Sequence, residues 1–73
     1  MRETRSSIEL VREGKYVAEV SVELTYSEEN WSPTMSLADA RRLEAARLAL
    51  RRGDLAEAAK HGRVYELTPV AAE

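Results

Sequence analysis

The stretch from Tyr16 to Tyr26 constrains this chain most, because apolar and polar residues alternate along it almost without a break. One set of alternate positions is apolar throughout: Tyr16, Ala18, Val20, Val22, Leu24 and Tyr26. The other set is mostly polar or charged: Val17, Glu19, Ser21, Glu23 and Thr25. Side chains of a strand point alternately to its two faces, so this pattern predicts a long strand with one face buried. We predict strands over about residues 16–26 and, before them, 7–12.

The connection between these strands sets which side chains share a face. Glu13-Gly14-Lys15 has the composition of a turn. Ile8 and Leu10 share the buried face only if the loop holds an odd number of residues, because a shift of one residue turns a strand's apolar side chains to the opposite face. We therefore expect Leu10 to pair with Ala18 and Ile8 with Val20.

This register would place carboxylates on the outer face of the hairpin. Glu9 would lie opposite Glu19, and Glu23 would face Arg5. Like charges directly opposite each other destabilise a sheet. One interpretation is a solvated acidic edge that discourages aggregation between sheets. The other is a docking face for a basic protein partner, formed by Glu9, Glu19 and Glu23.

The polar segment from Ser27 to Met35 predicts a loop, and its tryptophan, Trp31, permits two interpretations. A tryptophan in a small protein that has no phenylalanine is commonly a lid over the core. It can also be an exposed anchor at a binding surface, where tryptophan is enriched among the residues that dominate affinity. Trp31 is therefore a candidate partner-binding residue.

Two helices are predicted after this loop. Ser36 and Asp39 form a capping pattern at the start of a helix over residues 37–52, and Gly53 suits its left-handed end. Asp54 repeats the capping pattern at once, so the second helix is expected to fold back on the first as a helical hairpin.

The extent of the second helix is open. A helix over residues 55–67, ended by Thr68-Pro69, is favoured by residues that recur at helical spacing: Leu55, Ala58, Ala59, Gly62 and Tyr65. Val64, Tyr65 and Thr68 instead favour a strand over residues 63–67. The fold class is α+β in both cases. It is a β-hairpin followed by a helical hairpin (ββαα), or ββααβ with a three-stranded sheet.

Arginines are concentrated in the first helix, where residues 41–52 hold five of them and one glutamate. They are candidate nucleic-acid contacts: Arg41, Arg42, Arg47, Arg51 and Arg52. On a helical wheel they scatter around most of the circumference, whereas a helix that enters a groove would concentrate them. Solvation or ion pairing within the fold is the alternative interpretation. A net charge of −2 does not favour bulk attraction to nucleic acid or to anionic lipid.

No catalytic machinery is evident. The chain has no cysteine and one histidine, His61, and no serine lies in a motif that would activate it. Gly14, Gly53 and Gly62 are explained by a turn, a cap and close packing, which leaves no phosphate-binding loop. We therefore expect no enzymatic activity, no cofactor and no metal site.

The length and composition predict a single domain over residues 1–73 that gains support from association. A core in so short a chain rarely supplies more than roughly 3 to 5 kcal/mol, and without cysteine there is no disulfide to add to it. A homodimer or another protein partner is therefore expected. Neither a signal peptide nor a membrane span is evident, so we expect a cytoplasmic protein with no membrane partner.

Two segments of the second half resemble part of a tetratricopeptide repeat. They are Ala49-Leu50-Arg51-Arg52-Gly53-Asp54-Leu55-Ala56-Glu57-Ala58 and Tyr65-Glu66-Leu67-Thr68-Pro69. The resemblance is to the helix-turn-helix portion of one repeat and implies a helical hairpin. A second repeat is absent from this sequence, so no repeat array is implied.

Four further segments together resemble a group of short, uncharacterised bacterial proteins found among toxin–antitoxin gene pairs. They are Tyr16-Val17-Ala18-Glu19-Val20, Trp31-Ser32-Pro33, Ser36-Leu37-Ala38-Asp39-Ala40 and Val64-Tyr65-Glu66-Leu67-Thr68-Pro69-Val70. The Tyr-Val-Ala strand is also similar to antitoxins of the HicB kind, although the third strand that those proteins place before their helix is not evident here. The resemblance implies an antitoxin-like, non-enzymatic protein-interaction module with a basic protein, a toxin, as partner. The alternative is a nucleic-acid-binding regulator that uses helix residues 41–52.

Overall fold

The computed structural model describes residues 2–29 and 32–71. Its elements, in chain order, are β1 (Arg2–Glu13), β2 (Tyr16–Ser27), β3 (Thr34–Met35), α1 (Leu37–Arg52), α2 (Leu55–Ala59) and β4 (Arg63–Glu66). The predicted α+β class is confirmed, and the chain follows the ββααβ alternative with one short additional strand, β3. Within the described residues no helix is both long enough and apolar enough to cross a membrane.

The described strands form one antiparallel sheet centred on β2. β1 pairs with β2 along its whole length and occupies one edge of it. The other edge of β2 is shared: β4 pairs with residues 16–19 and β3 with residues 24–25. β3 is thus a third strand before the helix, which the sequence did not make evident, and it is only two residues long.

The register of the hairpin differs by one residue from the predicted register. Val11 lies opposite Ala18 and Glu9 opposite Val20, so the expected pairs Leu10–Ala18 and Ile8–Val20 are wrong. The physical reason is the turn, which holds two residues and not an odd number. Gly14 has a positive φ of 61° and Lys15 does not, the pattern of a type II′ turn, whose twist matches that of the flanking strands.

The core lies between one face of the sheet and the helices. Its fully buried residues are Val11, Ala18, Val20 and Val22 from the sheet, Ala46, Ala49 and Leu50 from α1, and Ala58 from α2. The predicted inward face of β2 is confirmed by these positions. Half of the core residues are alanines, which brings the helices close to the sheet and keeps the buried volume small.

The bounds and the caps of α1 agree with the sequence prediction. The Ser36 hydroxyl accepts a hydrogen bond from the Asp39 amide at 3.1 Å, and Gly53 ends the helix with a φ of 78°. Asp54 caps α2 in the same way, because its carboxylate accepts from the Glu57 amide at 3.1 Å. These contacts satisfy backbone groups that a helix end leaves without partners.

The prediction of a second helix over residues 55–67 is wrong beyond Ala59. α2 ends there, and β4 pairs antiparallel with the first residues of β2, Arg63 opposite Glu19 and Val64 opposite Ala18. The strand satisfies backbone groups on an edge of β2 that would otherwise have no partner. Gly62 makes the approach possible, because a Cβ there would overlap the main-chain carbonyl of Glu19.

Candidate functional site

The face of the sheet that points away from the helices is the candidate site, and we call it the open face. Its side chains alternate with those of the core: Arg2, Thr4, Ser6, Ile8, Leu10 and Arg12 on β1, Val17, Glu19, Ser21, Glu23 and Thr25 on β2, and Arg63 and Tyr65 on β4. No described element covers this face. It is therefore the largest surface of the fold on which strand side chains meet solvent.

Four apolar residues form a cluster on the open face: Ile8, Leu10, Val17 and Tyr65, the open-face cluster. Ile8 is 56% exposed and Leu10 is 64% exposed. They follow each other along one side of β1, Val17 lies diagonally across from Leu10, and Tyr65 lies opposite Val17. Cross-strand neighbours of this kind are within side-chain reach of each other, so the four residues form one patch.

A hydrogen bond fixes the ring of Tyr65 at the border of this cluster. Its hydroxyl donates to Glu19 Oε1 at 3.0 Å. Glu19 thus has a partner within the fold and projects beside the apolar side chains. The cluster consequently contains one carboxylate, that of Glu19, which lies directly opposite Leu10.

The charges of the open face lack the ion pairs that the helical side has. Every ion pair found among residues 2–29 and 32–71 joins residues of the helices, the loops or the helix-facing side of the strands. Within the same residues the open-face charges form no ion pair: Arg2, Arg12, Glu19, Glu23 and Arg63. Arg12 Nε donates to the Gly14 carbonyl at 3.2 Å.

The predicted face of three glutamates does not form. Glu9 lies opposite Val20 on the helix-facing side of β1, and not opposite Glu19, because of the two-residue turn. Glu23 lies opposite Ser6, so the expected juxtaposition with Arg5 is also wrong. Glu19 and Glu23 remain on the open face, but arginines share it, and the face as a whole carries both signs of charge. Trp31, the other candidate anchor, lies outside the described residues.

No family model, curated protein or solved structure matches this chain. The functional assignment therefore rests on the geometry of the chain itself.

The candidate nucleic-acid contacts on α1 are largely engaged within the fold. Four of the five arginines have carboxylate partners: Arg42 with Asp39, Arg47 with Glu13 and Glu44, Arg51 with Glu13, and Arg52 with Asp54. Arg41 is exposed and forms no ion pair with a described residue. A helix that binds phosphates needs several free cations on one side. Nucleic-acid binding by this helix stays a prediction, and the ion pairs do not favour it.

Arg42 and Asp39 close a gap in the sheet. Between the stretches paired with β4 and with β3, one edge of β2 has no strand beside it. There the Glu23 amide donates to Asp39 Oδ2 at 2.9 Å, and Arg42 Nη1 donates to the Ser21 carbonyl at 2.9 Å. Arg42 also reaches Asp39 Oδ1 at 2.9 Å and the His61 carbonyl at 3.3 Å. The Glu23 amide and then the Arg42 guanidinium lower the pKa of Asp39.

Glu13 ties the end of the hairpin to α1. Its Oε2 accepts from Arg51 Nη2 at 3.1 Å and from Arg47 Nη1 at 3.4 Å. The hydrogen bond from Arg51 is the main cause that lowers the pKa of Glu13. These two arginines therefore act as structural anchors between the sheet and the helix.

The described residues show little that points to chemistry. His61 Nε2 lies 3.5 Å from Glu57 Oε2 and has no hydrogen-bond partner among the described residues. Within residues 2–29 and 32–71 no group of three or more histidine, cysteine or acidic side chains lies close enough to hold a metal ion. The pKa of Glu57 is lowered, chiefly by its hydrogen bond with Lys60. The contact between Lys60 and Glu57 is an ion pair at the surface, whereas the His61 ring nitrogen beside Glu57 is buried.

The open-face cluster is the feature that sequence analysis missed. Ile8, Leu10 and Val11 occupy both faces of a strand, so one part of this apolar set must point away from the core in any register. The turn decided which part. A glycine at the first central position, here Gly14, followed by a residue that does not need a positive φ is typical of a two-residue type II′ turn. A turn of two residues would have placed Ile8 and Leu10 on the outward face.

Proposed function

We propose that this chain is a non-enzymatic protein-interaction module and that the open-face cluster is its binding surface. One observation carries the proposal: two large aliphatic side chains, Ile8 and Leu10, are more than half exposed and adjacent on a sheet face that no described element covers. In a half-buried antiparallel sheet the solvent side is ordinarily polar. A contiguous apolar patch rimmed by polar groups is typical of an interaction site.

The expected gain from covering this patch is large for so small a protein. Burying an isoleucine or leucine side chain fully contributes roughly 1.5 to 3 kcal/mol. Because Ile8 and Leu10 are already partly covered by their neighbours, a partner would gain about 2 to 4 kcal/mol from the two together. Tyr65 adds an aromatic ring whose hydroxyl is already satisfied by Glu19, so its burial leaves no hydroxyl unpaired.

The two exposed leucines of α1 do not form a comparable patch. Leu37 is 65% exposed and Leu48 is 41% exposed, both on α1. They are separated by eleven positions, which is about 16 Å along a helix, and polar residues lie between them. Scattered exposed hydrophobic residues are normal on protein surfaces and require no functional explanation.

An antitoxin-like role is the narrower form of this proposal, and the sequence resemblances of the hairpin support it. In that role the open face would bind a toxin with an apolar patch beside basic residues, which would meet Glu19 and Glu23. Coexpression with the product of the neighbouring gene is the test: relief of a growth arrest by this chain, and its loss in Leu10→Ser, is the expected result. Growth arrest that this chain does not relieve would refute the antitoxin-like role.

The general proposal is tested by site-specific photocrosslinking in the native cell. A photoreactive residue replaces Leu10 in one variant and Leu37 in a second, which is a matched control because the two leucines are equally exposed. The expected result is a discrete protein adduct from position 10 and none from position 37. No adduct from position 10, or the same adducts from both positions, would show that the open face binds no protein.

A further inference from the structure

We infer that the partner of the open face is a second copy of this chain, packed face to face about a two-fold axis that runs across the strands. Ile8 of each copy then packs on Leu10 of the other, and Glu23 of each copy meets Arg12 of the other. This inference rests on the general form of the proposed function and adds the identity of the occupant and its orientation; it takes the place of the antitoxin-like form, in which a toxin would bind the same face.

The shape of the molecule leaves room for a second layer of sheet. The chain has one layer of strands and one of helices, and its shortest principal extent is 14 Å. β1 and β2, with 12 residues each, are about 40 Å long, and two to three strands side by side are about 10 to 14 Å wide. The product of length and width is a projected area of about 400 to 550 Å². The side chains corrugate the face, which raises its accessible surface toward the ~800 Å² that each partner buries in a standard interface.

The charges of the open face have a polarity along the strands. Arg12 lies level with Val17, at the hairpin end of the open-face cluster. Glu23 lies level with Ser6, beyond the other end of the cluster. The two levels are six residues of β2 apart, about 20 Å. A cation at one end and a carboxylate at the other make the face complementary to itself when a second copy is reversed.

The register fixes where the two-fold axis must cross. An axis at the level of Val20, between Leu10 and Ile8, reverses the direction of the strands and keeps β1 over β1. It brings Leu10 of one copy over Ile8 of the other. The same operation brings Glu23 of one copy to the level of Val17, beside Arg12, in the other. A two-fold axis parallel to the strands would instead place Glu23 of one copy at the level of Glu23 of the other, so that like charges would meet.

Pairing through the free edge of β1 would not account for the cluster. Two β1 strands joined edge to edge would leave Ile8 and Leu10 in water on one continuous face. The edge also carries charges along its length, six in twelve residues: Arg2, Glu3, Arg5, Glu9, Arg12 and Glu13. Charged residues of this kind are a known protection of sheet edges against further pairing. Face-to-face packing removes the apolar surface from water, whereas edge pairing does not.

The oligomeric state of the purified full chain is the first measurement. Sedimentation equilibrium of the 8.2 kDa chain at concentrations up to about 100 μM should show a reversible dimer of twice that mass. Leu10→Ser should raise the dimer dissociation constant about tenfold or more, and the equally exposed Leu37→Ser should leave it unchanged. A far-ultraviolet circular dichroism spectrum of each variant checks that it is folded.

The orientation is tested by charge reversal and mixing. Glu23→Arg alone or Arg12→Glu alone places like charges together twice in each dimer, so each should raise the dissociation constant about tenfold. An equimolar mixture of the two variants restores opposite charges at both contacts and should dimerise as tightly as the natural chain. Arg41→Glu, which makes the same change of charge on the exposed side of α1, should have no effect.

The possible outcomes separate this inference from the proposed function. A chain that remains monomeric at about 100 μM overturns the second copy as occupant, while the photocrosslinks at position 10 report independently on whether another protein binds there. A dimer that Leu10→Ser does not weaken overturns the open face as its contact. A mixture of Glu23→Arg and Arg12→Glu that fails to restore the dimer overturns the reversed two-fold arrangement.

Discussion

Gly62→Ala is the substitution whose cost follows most directly from the geometry. A Cβ on Gly62 would lie 2.8 Å from the carbonyl carbon of Glu19, closer still to its oxygen, and 3.1 Å from Val20 Cγ2. The first two atoms belong to the backbone of β2, which is held by strands on both sides. The added methyl group therefore cannot be accommodated by rotation of a side chain, and β4 must move away from β2.

The expected change in the free energy of unfolding of Gly62→Ala combines three contributions. Overpacking in a fixed environment costs about 1 to 3 kcal/mol. Displacement of β4 weakens the ladder pair between Glu19 and Arg63, at about 1 kcal/mol for a hydrogen bond. Against these, alanine reduces the entropy of the unfolded chain relative to glycine, which stabilises by roughly 0.4 to 1 kcal/mol. The net expectation is a loss of about 2 to 3 kcal/mol in the free energy of unfolding.

Thermal unfolding followed by circular dichroism at one fixed protein concentration measures this loss. For a chain of this length each kcal/mol corresponds to about 4 to 8 °C in Tm, so Gly62→Ala should lower Tm by about 10 to 20 °C. Gly53→Ala is the matched control, because no atom lies within 4 Å of its Cβ and only the left-handed φ of 78° opposes alanine, at about 1 kcal/mol. If Gly62→Ala unfolds at the natural Tm, or costs no more than Gly53→Ala, the close approach of β4 to β2 is refuted.

Three further predictions concern the gap in the sheet and the core. Asp39→Ala should lower the free energy of unfolding at neutral pH and should make it depend less on pH in acid. The Glu23 amide is the main cause that lowers the pKa of Asp39 from 3.8, so the carboxylate stabilises the fold above that value and ceases to do so as the pH falls through the lowered pKa. Urea titrations at several acidic pH values measure this, and the same loss of stability in acid for both proteins would contradict it. Arg42→Ala should lower the free energy of unfolding by about 1 to 2 kcal/mol, since it removes hydrogen bonds to two main-chain carbonyls. In the same urea titration Arg41→Ala should have no measurable effect, and equal effects of the two substitutions would argue against the bridging role of Arg42. Val20→Ala should cost about 2 kcal/mol by chemical denaturation, because Val20 is fully buried against the helices, and a cost near zero would mean that the core is not packed there.

Both ends of α1 and the start of α2 were predictable because they depend on local chemistry. Ser36 and Asp54 cap their helices with their own side chains, and Gly53 adopts the left-handed conformation that few other residues tolerate. None of these contacts needs a distant partner. The inward face of β2 was predictable for a similar reason, since strict alternation over so long a stretch leaves one interpretation.

The register of the hairpin was not predictable from hydrophobicity, because two demands conflicted. The apolar pattern favoured Ile8 and Leu10 inside, with a loop of odd length. The turn favoured two residues, with Gly14 at the position that needs a positive φ. In the structure the turn prevails, and the core receives only Val11 from β1. The displaced side chains became the candidate site, so the misassigned strand and the missed site have one cause.

The last strand was ambiguous because its partner is distant in sequence. Helical spacing over residues 55–67 is real, but a helix there would leave the hairpin end of β2 with one edge unpaired. Val64 lies opposite Ala18 and packs against the core. The β propensity of Val64 and Tyr65 agrees with this pairing. Local periodicity competes here with a contact across more than forty residues, and tertiary pairing decides the outcome.

The distribution of ion pairs supports the open face by a criterion that is independent of hydrophobicity. On the helical side most charges are paired within the fold, as Glu13 is with Arg47 and Arg51. On the open face Arg12 and Glu23 have no such partner among the described residues, although the face carries both signs. If this face served only to meet water, polar β-branched residues such as threonine at positions 8 and 10 would keep the strand and avoid the apolar exposure. Aliphatic side chains flanked by unpaired charges of opposite sign are typical of an interface. The apolar centre is buried by the partner, and the charges at the rim fix the orientation of the partner.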